Sequence, residues 1–237
     1  MEKRKEEQLS YRHELKYYIN YKDYIVLRSA LSHVMRHDSN TGKKGYYDIR
    51  SLYFDDLENT ALVEKMAGTD HRAKYRVRIY DYSDRIIRFE KKIKEGQFIA
   101  KKSIKLTKQE LGQILSGKYD FLLDRKEPLA RELFLELGAK QLRPKVFVDY
   151  KREPFIFPYE NVRITFDMDL KSGIVKGNIF DPNLPVIPVF RNGLMVLEVK
   201  FNKYLPDYIR RVLENAEGAT RSAVSKYVLC RQYETNL

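Results

Sequence analysis

The stretch KYRVRIYD, Lys74–Asp81, alternates between two kinds of side chain without interruption. Successive side chains of a strand point to opposite faces, which places Lys74, Arg76 and Arg78 together on one face. The intervening residues are apolar or aromatic, as expected of a face that packs against a core. A charged strand face in water usually mixes both signs, whereas this one is cationic at three consecutive positions. The pattern predicts a half-buried strand whose charged face needs a neutralising partner.

The same periodicity, read along the chain, predicts an α+β fold in which antiparallel strands precede and alternate with flanking helices. The predicted strands are 10–19, 46–55, 73–82, 85–95, 97–106, 145–152, 161–170 and 194–201. The predicted helices are 21–36, 56–67, 107–116, 127–139, 205–215 and 220–233. Asn20 and Thr107 are predicted helix N-caps. Very short turns around Ser83-Asp84 and Glu95-Gly96 favour antiparallel hairpins over parallel crossovers.

Six of these strands have one apolar and one charged face, and cations dominate the charged faces. The cations are Arg12, Lys16, Lys74, Arg76, Arg78, Lys92, Lys94, Lys101, Lys105, Arg163 and Lys200. The acids are Glu14, Glu90, Asp167, Asp169 and Glu198. One interpretation is a sheet with a solvated face, although like charges on adjacent strands repel. The other is an antiparallel β-barrel whose charged faces line a lumen that a polyanion fills.

The composition also indicates a polyanionic partner, because 45 Lys and Arg residues stand against 33 Asp and Glu, for a net charge of +12. The single cysteine, Cys230, excludes an internal disulfide and a cysteine-based zinc site, and a buried thiol is expected. No apolar run approaches the ~20 residues that span a bilayer, and no signal peptide is recognisable. We therefore expect a flexible arm at 1–9, a single domain at 10–237 and a cytoplasmic location.

Phosphate recognition here would rest on side chains, because the chain has no glycine-rich phosphate loop and no dinucleotide-binding glycine motif. The four histidines show no metalloprotease spacing. Arginine and lysine together suit phosphate, since the guanidinium binds two oxygens and the ammonium acts as a point charge. The acids of the lumen would hold a divalent cation such as Mg²⁺, which prefers oxygen ligands.

Nine segments in register resemble the catalytic domain of the vacuolar transporter chaperone (VTC) complex, a polyphosphate polymerase of the triphosphate tunnel metalloenzyme superfamily. They are RHELKY, SLYFDD, KYRVRIY, FEKKIKEG, KKSIK, DYKREPF, VRITFDMDL, LEVKF and SKY, which together extend from about residue 10 to 230. The resemblance implies a tunnel-shaped antiparallel barrel. It also implies transfer of the γ-phosphate of a nucleoside triphosphate to a growing polyphosphate chain, with Mn²⁺ or Mg²⁺ required.

The resemblance assigns roles to individual positions of this sequence. The catalytic cations are implied at Arg76, Arg78, Lys92, Lys105, Arg152 and Arg163. The substrate-binding positions are implied at Lys16, Ser225 and Lys226, and Lys200 joins them because it shares a strand face with Glu198. Glu198 matches the metal-binding glutamate. Asp167 and Asp169 either assist it or form ion pairs with tunnel arginines.

Two positions depart from the family pattern. Where eukaryotic members have another lysine, three residues before Lys226, this chain has Ala223, and Arg221 is the candidate replacement. Glu14 and Lys16 resemble the E-x-E-x-K strand of the triphosphatase relatives, but this chain has Arg12 in place of the first glutamate of that motif. The membrane segments of eukaryotic members are missing, so the chain resembles a stand-alone bacterial version. A membrane-protein partner and the oligomeric state leave no signature in the sequence.

Two alternatives to a polymerase stay open. A metal-dependent triphosphatase with the same barrel would differ only in accepting water as the second substrate. A non-catalytic protein that binds nucleic acid or polyphosphate would place aromatic residues among cations on an exposed face. Tyr75 instead falls on the apolar face with Val77 and Ile79. We therefore expect nucleoside triphosphate and polyphosphate as partners, and no nucleic acid.

Overall fold

Eleven antiparallel strands joined in one sheet dominate the computed structural model, which describes residues 12–96, 98–190 and 192–232. The strands are β1 His13–Ile19, β2 Arg36–His37, β3 Tyr47–Asp55, β4 Arg72–Tyr80, β5 Ser83–Glu95, β6 Phe98–Leu106, β7 Arg143–Phe157, β8 Val162–Gly173, β9 Ile187–Pro188, β10 Met195–Phe201 and β11 Thr220–Arg221. The α-helices are α1 Tyr21–Val34, α2 Thr60–Met66, α3 Lys108–Leu115, α4 Pro128–Ala139, α5 Asp207–Glu214 and α6 Lys226–Arg231. The arm predicted at 1–9 lies outside the described residues.

The strand order confirms the predicted α+β antiparallel fold. Along the sheet the order is β11-β1-β10-β8-β7-β3-β4-β5-β6, with β2 paired to β7 and β9 paired to β8. The two ends of this order approach each other at a single bridge, where the backbone N–H of Arg12 donates to the carbonyl oxygen of Ile99 at 3.4 Å. The predicted barrel is therefore not closed by a continuous ladder between β1 and β6.

The hairpin between β4 and β5 turns two residues earlier than predicted. Asp81 and Tyr82 both have positive φ, at 49° and 55°, and Tyr80 pairs with Ser83 across them. A two-residue loop with positive φ at both positions matches the right-handed twist of the flanking strands. Ser83, which was predicted in the turn, begins β5 instead. This tight connection holds the cationic faces of β4 and β5 side by side.

The helices cover the outer, apolar face of the sheet and leave its charged face concave. Val77 and Ile79 of β4 are fully buried in one cluster with residues of α3 and α4. A second cluster joins α1 and α5 to β7, β8 and β10, and a third contains the buried Cys230 of α6. The alternation read in KYRVRIYD is thereby confirmed. No helix among residues 12–96, 98–190 and 192–232 has the length and apolarity needed to cross a membrane.

The predicted helix N-caps agree with the structure better than the predicted lengths of helices and strands do. Asn20 accepts the backbone N–H of Asp23 at 2.9 Å, and Thr107 forms a capping box with Glu110. The helix predicted at 220–233 is reduced to Lys226–Arg231, because residues 220–221 pair with β1 as β11. The strand predicted at 145–152 extends over Arg143–Phe157.

Candidate active site

The concave face of the sheet encloses a cavity of about 900 Å³ lined by fifteen cationic and two acidic side chains. Of the predicted site residues, those in the lining are Lys16, Arg76, Arg78, Lys92, Arg152, Arg163, Glu198, Lys200, Ser225 and Lys226. They come from β1, β4, β5, β7, β8 and β10 and from the start of α6. Long-range strand pairing therefore brings together charges that are scattered through the chain.

Glu90 of β5 orients the cations of the neighbouring strands. Arg76 donates from Nε to a Glu90 oxygen at 2.7 Å and from Nη1 to the Tyr53 hydroxyl at 2.8 Å, and Lys101 donates to the other Glu90 oxygen at 3.0 Å. Burial raises the pKa of Glu90, but Arg78, Arg76 and Lys101 outweigh it and hold that pKa well below its ordinary value. Glu90 is consequently a permanent anion that fixes Arg76.

Arg78 lies beside this pair with much of its hydrogen-bonding capacity unused. Its side chain is 9% exposed, its Nη1 lies 3.7 Å from a Glu90 oxygen, and its Nη2 donates to the Tyr150 hydroxyl at 3.4 Å. Its buried Nε has no hydrogen-bond partner within the described part of the chain. A guanidinium has five N–H donors, and leaving buried donors unpaired is costly. Arg78 is therefore prepared for an anionic ligand.

Glu14 of β1 and Glu198 of β10 are the two carboxylates in the cavity lining, and lysines surround both. Glu14 accepts from Lys92 at 2.8 Å and lies 3.1 Å from Lys16. Glu198 accepts from Lys200 at 2.7 Å. Burial raises the pKa of both carboxylates and Glu198 also raises that of Glu14, yet the surrounding cations outweigh these effects and lower the pKa of both. Both are therefore ionised and face the cavity.

Burial lowers the pKa of several cavity lysines because their charges lie in a confined cationic space. The pKa of Lys200 falls to about 7 and that of Lys92 to about 8. The pKa of Lys74, next to Lys16 and Lys92, falls well below its ordinary value. Glu198 and Glu14 offset part of this effect for Lys200 without reversing it. Without a bound anion, the cavity does not keep all of its lysines charged at neutral pH.

These lysines predict a proton-linked affinity for phosphate chains. A polyanion favours the charged form of a lysine, so binding at pH 8 should take up protons. The affinity for tripolyphosphate should therefore fall between pH 7 and 9, by up to about tenfold per pH unit for each lysine that titrates. The ligand-free protein should show the opposite trend, becoming more stable over this range. The reason is that Lys200 stays protonated towards pH 10.5 when unfolded and loses its proton near 7 when folded.

Calorimetry in two buffers of different ionisation enthalpy measures the proton uptake directly. Lys200→Gln should reduce the uptake. Lys151→Ala removes one positive charge outside the cavity, where Lys151 contacts Asp169, and should leave the uptake unchanged. An affinity that does not vary between pH 7 and 9 would contradict the prediction.

Asp167 lies behind the cavity lining and holds two of its cations in place. It accepts Arg152 through both oxygens, at 2.6 and 2.7 Å, and lies 2.6 Å from Lys226. Its side chain is fully buried, and the pKa is lowered by Arg152 and Lys226 against the effect of burial. Of the two roles expected for Asp167, the structure shows the ion pair, and Asp167 is not part of the cavity lining.

Asp169 does not face the cavity, contrary to the alternation predicted for β8. The register of β7 and β8 shifts between Asp149 and Lys151, and Asp169 has φ of 53°. This bulge turns its side chain, 52% exposed, towards Lys151 at 2.7 Å. The extra residue of a bulge changes which face later side chains occupy. Asp169 is therefore not a candidate metal ligand.

The resemblance implied catalytic roles for both Lys105 and Arg163, and the structure places these two residues differently. Lys105 is exposed and is not part of the cavity lining; it lies one residue before the end of β6, the last strand in the sheet order. Arg163 lines the cavity, with Nη2 donating to Asp38 at 2.8 Å and to the Tyr47 hydroxyl at 2.7 Å. The structure thus brings Arg163, but not Lys105, into the cavity lining.

Seven further cations line the cavity. Arg12, Lys74, Lys94 and Lys101 were predicted on the charged strand faces and Arg221 as a candidate replacement for the missing lysine, whereas Lys65 and Arg72 were not predicted. Arg72 continues the alternation of KYRVRIYD by one step towards the N-terminus, so that signal was present in the sequence. Lys65 comes from α2 and has no comparable signal. Arg221 and Ala223 both line the cavity, as is required if Arg221 replaces the lysine that is missing at Ala223. Lys74 donates to the hydroxyl of Ser225 at 2.7 Å.

The cavity carboxylates suit a divalent cation that a substrate also ligates. Among the described residues no cluster of three or more His, Cys, Asp or Glu side chains is arranged to hold a metal ion. Mg²⁺ is usually bound through one or two carboxylates together with substrate phosphates. Glu14 and Glu198 supply two carboxylates beside the cations that would bind those phosphates. The donor set therefore fits a metal that arrives with a phosphate ligand.

An antiparallel sheet curved around a strongly cationic cavity is the defining feature of this chain, and comparisons with known proteins identify its family. The sequence matches the VTC domain over residues 11–234, and the chain belongs to that family. No curated protein matches the sequence.

Among solved structures, the fold is similar to that of a putative adenylyl cyclase from Hippeastrum, described as having a dominant triphosphatase activity. The two share 14% identity over 94% of this chain and 96% of that one, with a TM-score of 0.56. A putative adenylate cyclase from Bacillus halodurans also matches, with 14% identity over 87% of this chain and 88% of that one and a TM-score of 0.47. At this identity the first similarity establishes the fold alone.

Proposed function

We propose that the protein is a metal-dependent polyphosphate polymerase that transfers the γ-phosphoryl group of a nucleoside triphosphate to the end of a polyphosphate chain. The observation that carries the proposal is the excess of cations in one cavity, fifteen against two acids in about 900 Å³. A nucleoside triphosphate carries about four negative charges at neutral pH. The cavity therefore has charge for a donor and a second polyanion together, as polymerisation requires.

The phosphates are bound by a clamp of arginines that neighbouring side chains hold in position. Glu90 holds Arg76, Asp167 holds Arg152, and Arg78 keeps donors free for the ligand. A terminal phosphate oxygen of the acceptor forms the new bond to the γ-phosphorus while the bond from that phosphorus to the bridging oxygen breaks and the diphosphate leaves. The acceptor oxygen is already anionic, so no general base is needed. Positioning and charge stabilisation supply the catalysis.

Mn²⁺ or Mg²⁺ would be held by Glu198, with Glu14 beside it. Such an ion would neutralise negative charge on the phosphate groups of the substrate. Lys200 and Arg152 already contact Glu198, at 2.7 and 3.1 Å, and keep its carboxylate ionised and oriented towards the cavity. Asp167 has no part in this site because it is not in the cavity lining and pairs with Arg152 and Lys226.

A triphosphatase is the second candidate function. It is favoured by the similar fold of the Hippeastrum protein and by Glu14 and Lys16, which lie 3.1 Å apart on β1 in the positions of an E-x-E-x-K strand. The same clamp would serve both reactions, with water in place of the phosphate acceptor. A non-catalytic polyanion-binding protein is the third candidate.

One assay separates the three candidates. Purified protein is incubated with ATP, Mn²⁺ and a short polyphosphate primer, and nucleotide, orthophosphate and polymer are quantified. The polymerase produces ADP with acid-stable polymer on a gel and little orthophosphate. Orthophosphate released in step with ADP identifies the hydrolase, and an absence of turnover despite binding identifies the third candidate. Lys151→Ala, which changes a charge outside the cavity, should behave as the unmodified protein does.

A further inference from the structure

Arg88 of β5 is a half-buried arginine that the proposed mechanism does not use. It lies directly opposite Arg78 of β4 on one side and Lys105 of β6 on the other. Directly opposite residues of paired strands point to the same face of a sheet, so Arg88 shares the concave face with Arg78. Arg78 lines the cavity, whereas Arg88 is not part of the lining. Arg88 therefore extends the cationic face by one position beyond the cavity.

The charge of Arg88 is not balanced within the described part of the chain. Its guanidinium makes no hydrogen bond or ion pair to any of those residues. By contrast, Lys92 on the same face of β5 donates to Glu14 at 2.8 Å. Both ladder neighbours of Arg88 are cations, and like charges directly opposite each other are destabilising. An anion that contacts both Arg78 and Arg88 would offset this repulsion.

The row formed by Arg78, Arg88 and Lys105 lies where the regular ladder between β4 and β5 ends. The register of the two strands shifts immediately after it, between Arg78 and Tyr80. Arg78 is buried, Arg88 is half-buried and Lys105 is exposed, so the row leads from the cavity lining to solvent. Opposite residues of antiparallel strands have Cα atoms roughly 5 Å apart, which lets one phosphate chain contact Arg78 and Arg88 in succession.

We propose that Arg88 is a phosphate-binding residue for polyphosphate that is longer than the cavity, and that such a chain leaves the cavity past Arg78 and over Arg88. This inference rests on the proposed function, because it takes polyphosphate as the ligand. The guanidinium of Arg88 would bind two oxygens of the chain. Lys105 continues the row but is exposed to water, where a single charge is screened and contributes little. A ligand that fits within the cavity has no contact with Arg88.

The test compares the affinities of a long linear polyphosphate and of tripolyphosphate, measured by calorimetry without metal, in matched variants. Arg88→Ala should weaken the long chain about 5- to 20-fold, as expected of one half-buried charged hydrogen bond, and change tripolyphosphate less than twofold. Arg88→Lys keeps the charge and should lose less affinity than Arg88→Ala. Arg131→Ala makes the same change on an exposed arginine of α4, which packs on the opposite face of the sheet, and should change neither affinity.

The salt dependence of binding separates a direct phosphate contact from a structural effect. Each cation that neutralises a phosphate contributes to the decrease of log affinity with log salt concentration. For the long chain, the slope should be less steep by about 0.7 in Arg88→Ala than in the unmodified protein, and for tripolyphosphate the two slopes should agree.

Three outcomes would overturn the inference. In the first, Arg88→Ala binds the long chain as the unmodified protein does. In the second, it loses the long chain and tripolyphosphate equally, which indicates a structural role for Arg88. In the third, a single-stranded oligonucleotide of similar length loses as much affinity as polyphosphate does, which indicates a general contact for nucleic acid. Failure of the proposed polymerase is seen separately, as an absence of polymer in the ATP assay, and leaves the ratio of the two affinities measurable.

Discussion

Replacing Arg78 by alanine should lower the rate of phosphoryl transfer on the order of 10²-fold, the effect of losing one preorganised charge stabiliser. Arg78 is the cavity arginine with a buried, unpartnered Nε within the described residues. Its guanidinium lines the cavity, and its Nη1 lies 3.7 Å from Glu90, so it can pair with an anionic ligand. The free energy of unfolding should change little, because Glu90 keeps Arg76 and Lys101 as partners. Initial rates and a urea titration of the same preparation measure the two quantities.

Three comparisons make this result specific. Arg78→Lys keeps the charge but loses the planar fork, so its rate should lie between those of Arg78→Ala and the unmodified protein. Lys151→Ala, outside the cavity, should leave the rate unchanged. Lys105→Ala should remain within about threefold, because Lys105 is exposed and outside the lining, although the family resemblance implies a catalytic role. A rate near that of the unmodified protein for Arg78→Ala would remove Arg78 from the clamp.

Glu198→Gln should reduce turnover on the order of 10²-fold and raise the Mn²⁺ concentration for half-maximal activity at least about tenfold. The amide keeps the volume and one oxygen ligand but loses the charge that attracts a divalent cation. Tripolyphosphate binding without metal should survive or strengthen, because one negative charge has left a cationic cavity. Activity against Mn²⁺ concentration, together with Mn²⁺ binding beside a non-transferable ATP analogue, measures both effects.

The matched control is Asp169→Asn, the same chemical change on a carboxylate that lies outside the cavity and contacts Lys151. It should reproduce the Mn²⁺ dependence of the unmodified protein. Glu14→Gln should shift that dependence in the same direction as Glu198→Gln, since both carboxylates face the cavity. If the Glu198→Gln curve does not shift, Glu198 serves only as an ion-pair partner of Lys200, and the metal role is refuted.

Local pattern was most informative where one strand face is apolar throughout. In KYRVRIYD the residues predicted for the core, Val77 and Ile79, are fully buried, and the cations Arg76 and Arg78 line the cavity. The end of β7 was less predictable, because Arg152 and Glu153 are charged and yet buried. Arg152 pairs with Asp167 of β8, and Glu153 accepts from Arg28 of α1 at 2.8 Å. No local signal shows that such charged residues continue a strand.

The sequence by itself determined the antiparallel strands, the cationic character of their shared face and the VTC resemblance. These follow from a period of two and from motifs that need only a few neighbouring residues. The tertiary structure alone decided which charges meet. The bulge at Asp169 removed one carboxylate from the site, α2 added Lys65, and the pairing of β1 with β10 placed Glu14 beside Glu198, whereas Lys105 lies outside the cavity. The physical reason is that bulges, strand register and ion pairs depend on packing between segments distant in the chain, which no alternation within one segment records.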